Sequence, residues 1–229
     1  SSYYYGWHDK MDKALTFRAD KSKIEISIKS KEGKSYKLKD SEYVLTENPQ
    51  DNSGDTFKVE IMDIKKIVDR EFNKINNNQE NDYNGLMVTL KYEAILNDLA
   101  ALDTGRPGFE NDVRLEFSND ADANGRGETG FTPWDTVVCF TFEIDGLKTN
   151  NHDKVLQNAK FRLYSDKECK NEVYVKKNTN QGQDGYIVIN RDSAGGSDHT
   201  GGITPQEAVE MVSDVKGIFK IYGLDQGTY

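Results

Sequence analysis

The stretch Val138-Cys139-Phe140-Thr141-Phe142-Glu143-Ile144-Asp145-Gly146-Leu147-Lys148-Thr149 decides how this chain reads. Positions 138, 140, 142 and 144 are apolar, so in one extended strand they share a face. Lys148 falls in phase with that face, where a solvated lysine does not belong. Burial disfavours the ammonium form, and the neutral amine it leaves is a nucleophile. The alternative is that Gly146 breaks the register and Lys148 sits in solvent at the strand end.

Outward from this stretch, strand signals dominate. Ile24, Ile26 and Ile28 alternate with Glu25, Ser27 and Lys29; Phe57, Val59 and Ile61 alternate with Lys58 and Glu60. Val88, Leu90 and Tyr92 do the same before Ala94-Ile95-Leu96, and Val113, Leu115 and Phe117 follow the same period. Further on, Phe161 and Leu163, Val173 and Val175, and Ile187 and Ile189 repeat it, and Ile218-Phe219-Lys220-Ile221 is a last strand-like run. Helical spacing of Ile64, Ile67, Val68 and Phe72 predicts a helix over 62–75. Thr204 as N-cap, Pro205 at N1 and Glu207 at N3 predict a second over 204–211. The polar stretch 119–130 reads as a loop crossing between sheets, and 192–202 as a Gly-rich loop. Many short strands with few helices predict an all-β chain of sandwiches.

Composition narrows the function. At 229 residues and 26.0 kDa there is room for two domains. Twelve Tyr and ten Phe suit sheets, and a net charge of −9 argues against nucleic acid. Cys139 and Cys169 leave two states open, a single disulfide or two unlinked thiols. His8, His152 and His199 lack ligand spacing, so no metal site is expected. No run has the length of a membrane span, no signal-peptide pattern opens the sequence, and the chain reads as a piece of something longer. Gly125-Arg126-Gly127 lacks the strand–loop–helix context of a nucleotide site, and no nucleophile–base pair stands out. An independent enzyme is therefore not expected, and neither is a cofactor.

Several segments carry a family resemblance. Asp9-Lys10-Met11-Asp12-Lys13-Ala14-Leu15-Thr16-Phe17 is similar to a D-x-[LM]-x-x-x-L-T-F strand, and Val88 to Asn97 to a V-x-Y-x-A-x-L-N strand. Asn111 to Asn119 resembles N-x-V-x-L-x-Y-S-N, and Thr132-Pro133-Trp134-Asp135 through Phe142, with Lys148, resembles a linker strand. Ala159 to Tyr164 with Gly217 to Tyr229 resembles the body of a collagen-binding-protein B-type domain. In this order they resemble the backbone (shaft) subunits of sortase-assembled pili of Gram-positive bacteria.

The resemblance implies two tandem Ig-like (CnaB-type) β-sandwiches with short helical insertions. Residues 1–138 would form an isopeptide-forming D2-like domain lacking its first strand, and 139–229 a B-type domain lacking its last strands. Each would be stapled by a self-formed Lys–Asn amide. It implies Asp9 as the acid of the first domain and Asn111 as its amide partner, with the lysine upstream of Ser1. Alternation supports Asn111, which shares the face of Val113, Leu115 and Phe117; Asn119 lies on that face too and is the runner-up. The residues alone also allow a turn Asp at position 9 and a strand-start cap at position 111. In the second domain the resemblance implies Lys148 as the amine, its Glu and Asn partners lying beyond Tyr229. It implies neighbouring pilin subunits as covalent partners through sortase, and an extracellular, cell-wall-anchored location. The alternative is a surface adhesin of the same domain type for host or carbohydrate ligands, using the 192–202 loop and the aromatic cluster Tyr3-Tyr4-Tyr5-Gly6-Trp7.

Overall fold

A computed structural model describes residues 2–73, 82–103, 107–120, 126–180, 182–189 and 204–229. It is all-β apart from short helices, as the alternation predicts. The chain divides into two compact units. The first comprises Ser1–Asp12, Phe17–Ala94 and Glu110–Val137, and the second Lys13–Thr16, Ile95–Phe109 and Val138–Tyr229. Relative to a division at 138/139, the segments Lys13–Thr16 and Ile95–Phe109 thus pack with the second unit. Ala14, Ala100 and Phe109 bury one another, flanked by Leu15 and Leu96, and Ala101 joins them to the rest of that unit by packing on Ile187 and Tyr222.

In the first unit the strand Tyr5–Met11 is central. It pairs antiparallel with Phe57–Ile61 on one side and with Phe109–Ser118 on the other. Val44–Glu47 and Thr129–Phe131 extend this sheet at its two ends, and Asp135–Cys139 also pairs with Phe109–Ser118. A second sheet runs Ser35–Lys37, Glu25–Lys29, Met87–Lys91. Inward residues of both sheets, among them Trp7, Ile26, Ile28, Phe57, Val59 and Ile61, form one core. The helix Ile64–Glu71 closes that core with Ile64, Ile67 and Val68. It begins later than the apolar spacing suggests because the Asp63 carboxylate caps it, accepting from the Lys66 N–H.

The second unit is built on the strands Phe142–Leu147, Ile218–Leu224, Tyr186–Val188 and Val175–Lys177, in that order. Tyr186–Val188 and Ile218–Leu224 run parallel, and the other pairs antiparallel. Val175, Tyr186, Met211, Ile221 and Leu224 form its core. The short helix Asp98–Leu102 seats Ala101 against Ile187 and Tyr222.

Three local expectations are corrected. Residues 204–211 form no helix: Ala208 N–H closes a turn to the Pro205 carbonyl, Val209 N–H donates to the Val175 carbonyl, and Met211–Val212 pairs with Lys160–Phe161. The backbone groups that a helix would pair within the segment are instead taken by Val175 and by the Lys160–Phe161 strand. The polar segment after Ser118 does not cross between sheets, because Thr129–Phe131 returns antiparallel beside Phe109–Ser118; residues 121–125 lie outside the described residues, as does the whole 192–202 loop. Finally, 138–145 is not one strand. Asp135–Cys139 ends before Phe140 and Phe142–Leu147 begins afterwards, joining a different sheet. The expected apolar face is split accordingly, leaving Val138 48% and Phe140 54% exposed.

Gly146 stays in register opposite Phe219, so it does not break the strand. The Phe219 ring lies over it, and a Cβ at position 146 would fall 2.0 Å from that ring. The same ring stacks on Phe161, with centroids 4.5 Å apart. Gly146→Val therefore displaces Phe219 from its stack, and a loss of about 1–3 kcal/mol in the second unit is expected in urea unfolding.

Candidate functional site

Strand alternation places Trp7 and Asp9 on the inner face of the central strand, Asp9 between Phe57 and Val113. An inward aspartate is costly, and Asp9 is 0% exposed. Its partners come from two other segments. The Tyr92 hydroxyl donates to Asp9 Oδ2 at 2.6 Å. The Asn111 amide Nδ2 donates to the Tyr92 oxygen at 2.8 Å and to Asp9 Oδ2 at 3.1 Å. Tyr92 is held edge-on to Phe57 and Phe17, which stack on each other at 3.9 Å. Asp9 Oδ1 and Asn111 Oδ1 are buried and have no hydrogen-bond partner among the described residues.

Burial pushes the Asp9 carboxyl up to about 6; the hydrogen bonds from Tyr92 and Asn111 pull it back, and the negative charges of Asp55 and Asp112 push it further up. The site thus holds a carboxyl group able to carry a proton near neutrality, a carboxamide in contact with it, and an apolar aromatic wall. Those are the elements an amide exchange needs once an uncharged amine reaches Asn111 Cγ.

The structure brings Asp9 and Asn111 together and leaves Asn119 apart. Asn119 is exposed at the hairpin after Ser118, its N–H donating to the Glu128 carbonyl and its side chain lying against Gly130. Among the described residues no lysine bonds to Asp9 or Asn111; Lys10, the nearest in sequence, extends over the Trp134 ring. Lys148 follows the strand Phe142–Leu147 and is half-buried. Its backbone is fixed by the bonds from Lys148 N–H to the Gly217 carbonyl and from Leu156 N–H to its own carbonyl. Cys139 and Cys169 are free thiols, so of the two states the sequence leaves open the disulfide is not formed. The aromatic cluster is no exposed ligand surface: Tyr4 is 1% and Trp7 6% exposed. No cluster of His, Cys, Asp and Glu among the described residues could hold a metal ion, and no described helix is long and apolar enough to cross a membrane.

A second polar cluster escapes sequence reading. His8 points from the opposite face of the same strand, where alternation predicts solvent, yet it is 3% exposed. Its Nδ1 lies 2.6 Å from Asp55 Oδ2 and its Nε2 2.9 Å from Glu116 Oε2. Glu116 also accepts from Thr129 at 2.6 Å and pairs with Arg126. Burial pushes the Glu116 carboxyl up, but the bonds from Thr129, His8 and Arg126 outweigh it and hold the group below its ordinary value. Phe131 lies edge-on to the His8 ring, and Arg114 stacks over Phe131 and Trp134. The only sequence signal is a histidine in phase with lysines and glutamates across three strands.

No protein-family model matches the chain, and no curated protein matches it. Solved structures do. The pilus 2b backbone protein of group B streptococcus superposes over 99% of this chain and 69% of its own length, with a TM-score of 0.52 and 15% identity. The full-length major pilin SpaD from Corynebacterium diphtheriae matches over 97% of this chain and 43% of its own length, with a TM-score of 0.50 and 16% identity. The fold is that of pilus backbone proteins.

Two outcomes follow from these environments. An acid whose folded value lies near 6 against an ordinary 3.8 favours the folded state below about pH 4, and that contribution is lost as pH rises through 6. The loss amounts to about 3 kcal/mol, and Asp9→Asn should remove this part of the pH dependence of unfolding. His8→Ala leaves Asp55 and Glu116 buried and facing each other without the ring, and should destabilise the first unit by about 3–5 kcal/mol in chemical denaturation.

Proposed function

We propose that this chain is part of a shaft subunit of a covalently assembled cell-surface pilus, each of its sandwiches stapled by a Lys–Asn amide. The observation that carries this reading is the buried contact of Asp9 with Asn111 at 3.1 Å, with a further oxygen of each group unpartnered beside it. A buried polar pair left incompletely bonded is costly, and a third group between them relieves it. In this reading that group is a lysine on a strand preceding Ser1, which attacks Asn111 and expels ammonia. The likeness in fold to pilus backbone proteins supports the same role.

In the second unit the amine is Lys148. The strand that leads to it pairs on one side with Ile218–Leu224 and forms the edge of its sheet among the described residues. A strand following Tyr229 and laid along that edge would set an asparagine beside Lys148, and an unpaired edge is the usual place for a strand to add. Covalent linkage to neighbouring subunits through sortase and anchoring to the cell wall belong to the same reading. The chain then catalyses nothing but its own cross-linking.

Such a bond restricts the unfolded chain as a disulfide does, by roughly 3–5 kcal/mol for a long loop. The test is the intact mass of the denatured, reduced parent polypeptide with its natural flanks. It should be short of its sequence mass by one ammonia for each closed domain, and Asn111→Ala should restore one of them. A full sequence mass in the unaltered protein overturns the reading.

A further inference from the structure

We infer that the Tyr92 hydroxyl is the proton relay of this amide-forming reaction, carrying a proton from Asp9 to the nitrogen that leaves Asn111. The inference rests on the isopeptide reading of the Asp9–Asn111 site and adds to it a residue with a stated chemical task.

The geometry distinguishes two routes for the proton. Asp9 Oδ2 lies 3.1 Å from Asn111 Nδ2 directly. The route through Tyr92 has two shorter steps, 2.6 Å from Asp9 Oδ2 to the hydroxyl oxygen and 2.8 Å from that oxygen to Nδ2. Proton transfer between heteroatoms needs a made hydrogen bond, and the shorter contacts favour the relay. Tyr92 is also fixed for the task, its ring edge-on to Phe57 at 5.1 Å and to Phe17 at 6.0 Å.

The steps balance as follows. The uncharged lysine Nζ attacks Asn111 Cγ, giving a tetrahedral carbon with a negative Oδ1 and a positive Nζ. Asn111 Nδ2 is no longer conjugated and gains a lone pair, so both hydrogen bonds of the Tyr92 hydroxyl reverse direction: Asp9, protonated on Oδ2, donates to the Tyr92 oxygen, and the Tyr92 hydroxyl donates to Nδ2. The Asp9 proton passes to the Tyr92 oxygen as the Tyr92 proton passes to Nδ2. The Cγ–Nδ2 bond breaks, ammonia departs with the bonding pair, and the C=O bond re-forms. The Asp9 carboxylate takes the surplus proton from Nζ and is an acid again. One amine and one carboxamide become one secondary amide and ammonia, with no outside reagent.

The test uses the parent polypeptide with its flanks, purified open in urea and diluted into buffers on either side of pH 6. Closure is followed as the loss of one ammonia by intact mass. Tyr92→Phe keeps the ring and removes the hydroxyl. It should slow closure about a hundredfold, the lower end of the usual range for a lost acid–base group. It should also move the pH dependence upward, since the Tyr92 bond is one of the interactions that hold the Asp9 carboxyl down. A fluorinated tyrosine at position 92, which keeps the shape and acidifies the phenol, should change the rate and leave the folded stability alone. If Tyr92→Phe and the fluorinated protein both close like the unaltered one, the relay is wrong and the isopeptide reading stands. A slower Tyr92→Phe with an unmoved pH profile assigns Tyr92 to packing and also overturns the relay. If the unaltered polypeptide never loses ammonia, the isopeptide reading itself fails.

Discussion

A carboxyl group fully withdrawn from water has to be either neutralised or surrounded by donors, and Asp9 imposes that demand on the middle of the first sheet. The demand is met from far along the chain. Tyr92 lies 83 residues away and Asn111 102 residues away, and both reach the same carboxylate oxygen. The aromatic packing of Phe17, Phe57 and Tyr92 keeps the surroundings apolar enough to raise the acid and ordered enough to aim the phenol. Local chemistry and sheet topology are therefore one problem here: moving the register of Tyr5–Met11 by a single residue would put His8 in the core and Asp9 in the polar layer.

That polar layer is itself unusual. Sheets of this kind commonly leave one face to water, but here His8, Asp55 and Glu116 are covered by Thr129, Phe131 and Arg126. A ring nitrogen at each carboxylate lets the two acids sit close together without facing each other bare. Such clusters tend to fix geometry more than they add stability, because desolvating the charges offsets much of their attraction. Their effect in this unit is to tie the segment from Arg126 to Trp134 onto both Tyr5–Met11 and Phe109–Ser118.

How much of this is legible in the sequence differs by residue. Alternation alone identifies the strands around Ile26, Val59, Val88 and Leu115, because each carries apolar residues at every second position and a period of two leaves little choice. It also sets Asn111 on the inner face. It cannot reveal Tyr92 as a partner of Asp9, since that contact depends on how two sheets pack, nor the burial of His8, since that depends on a later hairpin folding back as a cover. The Thr204–Glu207 capping pattern is genuine in composition, yet the bond from Val209 N–H to the Val175 carbonyl and the Lys160–Phe161 ladder override it. The even-numbered apolar residues from Val138 to Ile144 mislead for a related reason: a chain changing sheets at Phe140 and Thr141 spends its alternation on two surfaces instead of one, with the Thr141 hydroxyl donating to the Ala100 carbonyl at the break.

The central position of Tyr5–Met11 also sets a timetable. Its partner Phe109–Ser118 emerges from a ribosome only after about a hundred further residues, roughly 5–20 s later at ordinary rates of synthesis. Until then the strand has no second neighbour, the pocket has no Asn111 wall, and Asp9 is an ordinary wet carboxylate. The buried arrangement of Asp9, Tyr92 and Asn111 is therefore assembled only once three segments far apart in the chain have all been made, however early the first of them appears.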